Sequence, residues 1–166
     1  MIPRMKRSRG IAIFAAGLGI GLLCGGLVLA QETPVRGLNH IGINVAKYDE
    51  ALAFYTKTLG IREAYTVRNP DGTPRLTYLQ LSRDTFIELI PAGPNQPTGV
   101  THFGIEVRDI NATVAVLRDR GVTVPAPGLT PAKAAFTRLA DRDGVQIEVM
   151  EFGPDALQRK AMDAWK

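Results

Sequence analysis

Cysteine is almost missing from this chain: there is one, Cys24, in 166 residues. It falls inside an N-terminal export segment, so the remainder has neither a disulfide nor a thiol nucleophile, and a cysteine-based mechanism is excluded. Histidine is nearly as scarce, with only His40 and His102. Net charge is also lacking once that segment is set aside. The formal +4 is carried by Arg4, Lys6, Arg7 and Arg9, and residues 31–166 hold sixteen Lys and Arg against sixteen Asp and Glu. A neutral globular part gives no electrostatic case for binding nucleic acid. No glycine-rich nucleotide loop and no Ser-His-Asp set is present.

Acidic residues are absent before Glu32, and the run from Gly10 to Ala30 carries no charge at all. Basic residues, an apolar run and the small-residue sequence Val28-Leu29-Ala30 occur in the order of a secretory signal peptide cleaved before Gln31. The same run is long enough to span a bilayer as an uncleaved anchor, and Gly17, Gly21 and Gly25 have a helix-packing spacing. Leu22-Leu23-Cys24-Gly25 is a loose match to a lipoprotein cleavage site. Export is therefore expected, to the periplasm or the medium, or as an anchored domain held outside. Residues 1–30 form that segment and 31–36 a spacer.

What is present is a repeat. Leu38-Asn39-His40-Ile41-Gly42-Ile43-Asn44-Val45 returns sixty-two residues later as Val100-Thr101-His102-Phe103-Gly104-Ile105-Glu106-Val107. Both runs alternate as strands do, so each histidine shares a face with a glycine and the apolar residues take the other face. Around each copy the order is strand, helix, three strands. In the first, Asp49 can cap a helix through Leu59 with Leu52, Tyr55 and Leu59 on one face, and Gly60 ends it. Strands at 61–67, 75–81 and 85–90 follow, the first two joined by Asn69-Pro70-Asp71-Gly72. In the second, Asp109 caps a helix over 110–120 that turns Val114 and Leu117 inward, and Gly121 ends it. A short strand over 122–124, a proline-rich loop, and strands over 134–140 and 145–150 complete the copy. The last two are joined through Asp141-Arg142-Asp143-Gly144, a hairpin turn rather than a calcium loop. Beyond Pro154 a short helix carries Leu157, Ala161 and Trp165 in one stripe, able to cover a sheet edge or a dimer contact.

The expected fold is thus α+β: two tandem βαβββ modules, 37–91 and 100–152, forming a curved mixed sheet around a cleft, with a C-terminal helix within 154–166. In each module a glutamate interrupts an apolar strand, Glu88 and Glu148, and a carboxylate so placed is costly to bury without a cation or hydrogen-bond partner. His40, Glu88, His102 and Glu148 therefore form a matched set of candidate ligands for one divalent ion such as Zn, Ni, Mn, Fe or Co. Glu106 lies on the His102 side of its strand and is either an outer-shell group, a base, or a rim residue. Alternation turns Glu151 away from Glu148. The loops over 69–74 and 125–133 are expected to shape the pocket.

On His40-Ile41-Gly42-Ile43, Phe54-Tyr55 with Leu59-Gly60, His102-Phe103-Gly104 and Asp141-Arg142-Asp143-Gly144-Val145-Gln146-Ile147-Glu148, the chain resembles the vicinal oxygen chelate superfamily. That superfamily includes glyoxalases, methylmalonyl-CoA epimerases, extradiol dioxygenases and antibiotic-resistance proteins. The resemblance covers roughly 37–152 and implies a metal held by the same four residues. The set is most similar to that of glyoxalase I, which implies a lyase or isomerase working through a metal-stabilised enediolate on a small oxygen-rich substrate. Glu88 or Glu148 would be the base, and sequence does not choose between them. Asn44 stands four residues past His40, where glyoxalase I generally has an arginine for glutathione. Two alternatives follow from the same resemblance: an Fe(II) extradiol-type dioxygenase using His40, His102 and Glu148, or a non-catalytic dimeric small-molecule-binding protein of the resistance type.

Overall fold

The structure, a computed structural model, describes residues 34–166. The expected export segment, 1–30, lies outside the described residues. Eight strands form one sheet: β1 (Val35–Val45), β2 (Arg62–Arg68), β3 (Pro74–Ser82), β4 (Thr85–Pro91), β5 (Gly99–Val107), β6 (Gly128–Leu129), β7 (Ala135–Ala140) and β8 (Gln146–Glu151). Their order across the sheet is β2-β3-β4-β1-β5-β8-β7-β6. Each module contributes four adjacent strands. β1 runs parallel to β4 and β5 parallel to β8, while β1 and β5 join the halves as an antiparallel pair. The sheet is the curved, mixed sheet that the repeat implies.

Helix α1 (Tyr48–Ala53) continues into one π-helical turn over Phe54–Thr58, and α2 (Ile110–Asp119) occupies the matching place in the second module. Both helices stop at a glycine in the left-handed region, Gly60 at φ 70° and Gly121 at φ 79°, where a side chain would be strained. The two starts differ. Asp109 caps α2 as expected, its carboxylate accepting from the Ala112 amide at 2.9 Å. Glu151, on the outer face, accepts from the Ile110 amide at 2.9 Å, so its turn away from Glu148 serves the same helix end. Asp49, by contrast, is not a cap. Lys47 takes that position and pairs with Glu50 at 3.0 Å, leaving Asp49 inside the first turn, where its charge still suits the helix dipole.

Ile110 and Val114 of α2 are buried with Val107, Val124 and Val149, and Leu117 packs on that cluster half-buried. α1 covers its module less fully: Leu52 and Tyr55 are half-buried and Leu59 is exposed. No strand forms over 122–124. The Val124 carbonyl is taken by the Arg118 guanidinium at 3.0 and 3.2 Å and the Pro125 carbonyl by Thr137 at 3.0 Å, while Pro125 has no N–H to offer a ladder. The strand position is filled instead by the two residues of β6.

The C-terminal helix α3 (Leu157–Asp163) lies on the inner, histidine-bearing face, not merely at an edge. It buries Gln158, Ala161 and Met162, so the inward stripe is turned by one residue from the expected one and Trp165 is partly exposed. Met162 and Ala161 pack with Tyr78, Phe86, Met150 and Phe152, which closes one end of the inner face.

Candidate metal centre

The register between β1 and β5 explains the His-x-Gly repeat. His40 pairs with Gly104 and Gly42 pairs with His102, so each histidine faces the other module's glycine across the central strands. Each ring lies over that glycine. A Cβ added at Gly104 would sit 2.0 Å from His40 Cε1, and one at Gly42 would sit 2.0 Å from His102 Cε1. No side chain larger than hydrogen fits either place without expelling a ring. On the outer flank, Gly42 pairs with Glu88 and Gly104 with Glu148. Each imidazole therefore crosses into the other module and meets that module's glutamate.

The four side chains converge. His102 Nε2 lies 2.9 Å from Glu88 Oε2, His40 Nε2 lies 3.4 Å from Glu148 Oε2, and the two Nε2 atoms are 3.2 Å apart. One ligand atom from each residue falls within 4.8 Å of every other, and all four residues are buried. His40 is completely covered.

The residues next to the histidines decide which nitrogen faces inward. Asn39 Nδ2 donates to the Asp84 carbonyl, which leaves Asn39 Oδ1 to accept from His40 Nδ1–H at 3.1 Å. Thr101 Oγ1 donates to the Gly42 carbonyl and so accepts from His102 Nδ1–H at 2.9 Å. With protons held at both Nδ1 atoms, both Nε2 atoms present lone pairs. Two imidazole lone pairs and two carboxylates thus meet in a buried space with no donor of their own, an arrangement that is repulsive without a cation. Its chemistry fits a divalent ion of the transition series, with the outer partners fixing ring orientation as in known metal sites.

Arg138 adds an asymmetry. Its guanidinium donates to Glu148 Oε1, whereas among the described residues no arginine pairs with Glu88. Burial pushes the Glu148 carboxyl up, but its contacts with His40 and the Arg138 guanidinium outweigh burial and hold the group below the usual carboxylate range. Burial and the neighbouring Glu88 charge push the Tyr78 hydroxyl upward, so that ring stays neutral beside His40 at 5.5 Å.

A cavity of about 270 Å³ opens beside the cluster, with Glu88, His102 and Glu148 at its base. Its lining is mixed: Val67, Leu76, Ile90, Phe136 and Met150 are apolar, and Arg75 and Arg138 line it as well. Of the loops expected to shape it, 125–133 supplies Thr130 and Ala132, while 69–74 supplies none and its flanks supply Val67 and Arg75. Glu106 is not part of the centre. Its Oε1 accepts from Arg36 at 3.1 Å and Arg159 at 3.0 Å, which ties α3 to the sheet. Asn44 spends its amide on the Pro97 carbonyl at 3.3 Å.

A family model described as "Glyoxalase/Bleomycin resistance protein/Dioxygenase superfamily" matches residues 37–149. The chain belongs to that superfamily. Among curated members it is 29% identical over 134 residues to a probable chloroplastic lactoylglutathione lyase of Arabidopsis thaliana, covering 72% of this chain but only 37% of that protein. It is 25% identical over 126 residues to the mitochondrial methylmalonyl-CoA epimerase of Bos taurus, covering 68% of this chain and 72% of that one. Among solved structures, methylmalonyl-CoA epimerase from Mycobacterium tuberculosis superposes with a TM-score of 0.64 at 26% identity, over 74% of this chain and 92% of the other. These relatives are lyases and epimerases, and the half-barrel sheet is the superfamily's.

Asn39, Thr101 and Arg138 were not among the residues singled out from sequence. A signal for the first two existed: a hydrogen-bonding side chain precedes the histidine in both copies. None existed for Arg138, whose role depends on its pairing with Glu148 across β7 and β8. Replacing Thr101 by Val, or Asn39 by Leu, is expected to weaken divalent-ion affinity by about 10–100-fold while leaving the fold intact. A competition titration against a chromogenic chelator measures it, and unchanged affinity would remove both residues from the site.

Proposed function

We propose that the chain is an exported, metal-dependent lyase or isomerase that moves a proton at a carbon beside a carbonyl, on a small oxygen-rich substrate. The observation that carries this reading is the convergence of four buried acceptors, two of them forced to be acceptors by Asn39 and Thr101. A divalent ion held by His40, Glu88, His102 and Glu148 would act as a Lewis acid, stabilising the oxyanion that forms when the neighbouring carbon loses its proton.

The residues divide the remaining work. Every carboxylate that lines the cavity belongs to the ligand set, so the base is one of the two glutamates. Arg138 holds Glu148 in place as a carboxylate, whereas among the described residues no arginine restrains Glu88, which is the freer to swing and accept the carbon-bound proton. His40 and His102 hold fixed orientations through Asn39 and Thr101. Similarity to both a lyase and an epimerase supports this shared proton-transfer step better than either overall reaction.

The extradiol alternative is favoured by nothing in the geometry, since Glu88 lies at 2.9 Å from His102 and would occupy a position that dioxygen chemistry leaves open. The test is isotopic. With metal restored, turnover of α-hydroxycarbonyl or 2-oxothioester substrates in deuterated water should place solvent deuterium on the carbon beside the carbonyl. Oxygen uptake with catechols under Fe(II), without such exchange, would overturn the assignment. Export through residues 1–30 belongs to the same proposal, and a mature N-terminus at Gln31 in the extracytoplasmic fraction is its expected signature.

A further inference from the structure

Charge in the cavity points to the kind of molecule it receives. The ionic groups lining it are Glu88 and Glu148 on one side of the ledger and Arg75 and Arg138 on the other, which cancel. A divalent ion at the cluster would leave two positive charges unbalanced in a half-enclosed space, where such an excess is felt more strongly than in bulk water. The two arginines are not equivalent. Arg138 is engaged with Glu148, whereas Arg75 has no hydrogen bond or ion pair among the described residues.

Position supports the distinction. Arg75 stands near the start of β3, three residues before Tyr78, which pairs directly with Glu88 on β4. Arg75 lines the same cavity as Glu88, His102 and Glu148. A charged group without a partner among the described residues thus faces the cavity that the ligand cluster also lines, and is free to pair with a molecule bound there. A planar fork of N–H donors suits a carboxylate or a phosphate.

We propose that Arg75 is the specificity-determining residue of this cavity, and that the substrate is an anion. In it, two vicinal oxygens at one end meet the metal, and a carboxylate or phosphate a few bonds away meets Arg75. This rests on the metal-centred reading above and adds the substrate class to it.

Three hydroxamates with a common chelating head test the idea on the metal-loaded full chain by calorimetry: acetohydroxamate, with no anionic tail, succinic monohydroxamate, with a carboxylate, and phosphonoacetohydroxamate, with a phosphonate. Wild type is expected to bind at least one anionic probe about tenfold more tightly than acetohydroxamate, and the better of the two tells carboxylate from phosphate. Arg75→Ala should abolish the preference and Arg75→Lys restore part of it, with metal content and acetohydroxamate affinity unchanged in both. The preference should also shrink as ionic strength rises, because Arg75 is exposed. An absent preference, or one that survives Arg75→Ala, overturns the assignment while leaving the metal centre standing. Failure of acetohydroxamate itself to bind would instead strike the metal-centred reading and this inference with it.

Discussion

Gly104→Ala is expected to abolish high-affinity metal binding without touching a single ligand. The new methyl would lie 2.0 Å from His40 Cε1, less than any real contact allows, and His40 is fully buried with no space to retreat. Because outer-shell changes alone cost about 10–100-fold in affinity, expulsion of a ligand ring should cost more than 100-fold. The overpacking itself should cost about 1–3 kcal/mol, partly offset because alanine is better than glycine in a strand. A folded protein with an emptied site is the expected outcome, read by circular dichroism and metal titration together. Gly42→Ala should behave alike through His102.

The clash can be isolated from other effects. In His40→Ala the three atoms nearest to a methyl at position 104 are gone, so Gly104→Ala should destabilise that background less than it destabilises wild type. Two residues in contact are expected to be non-additive in this way. Full additivity in a thermal or denaturant cycle would mean that the glycines are conserved in the repeat for some reason other than ring clearance.

Glu88→Gln carries the second large effect. The amide keeps the size of the side chain and one oxygen ligand but cannot accept a proton from carbon, so turnover at saturating metal should fall by about 10²–10⁴-fold. Glu148→Gln should act differently. It removes the charge that Arg138 pairs with, so metal affinity falls first and turnover recovers in part when metal is raised. Loss of turnover in Glu148→Gln that metal does not rescue, beside a near-normal Glu88→Gln, would reverse the two roles.

The sheet and the four candidate ligands were readable because the β period is two and the repeat is in phase. Alternation alone placed His40 with Gly42 and His102 with Gly104 on one face, and Ile105 and Val107 on the other. What alternation does not contain is the register between modules. That His40 faces Gly104, and so meets Glu148 rather than Glu88 most closely across the flank, is set by how β1 and β5 slide past each other. The reason for the glycines and the restraint of Glu148 by Arg138 both depend on pairing between strands, and so lay out of reach.

The local misreadings have local causes. Asp49 is a good capping residue, but the helix begins at Tyr48, one residue before it, so Lys47 takes the cap position without a side-chain cap bond and Asp49 falls inside the first turn. Val122 to Val124 has strand composition, yet Arg118 occupies the carbonyl a strand would need. Glu106 shares a face with His102 but lies four residues further along, where Arg159 of the C-terminal helix reaches it first. No pattern within β5 could have foretold a partner supplied from α3.

Elemental analysis joined to anomalous diffraction tests the central claim most directly. Protein supplied with Zn, Ni, Mn, Fe or Co should retain one ion per chain, bound through both Nε2 atoms and both carboxylates, and His40→Ala and His102→Ala should each lose it. A correctly folded wild-type protein that retains none of these ions, or that holds one equally well in both variants, would contradict the account.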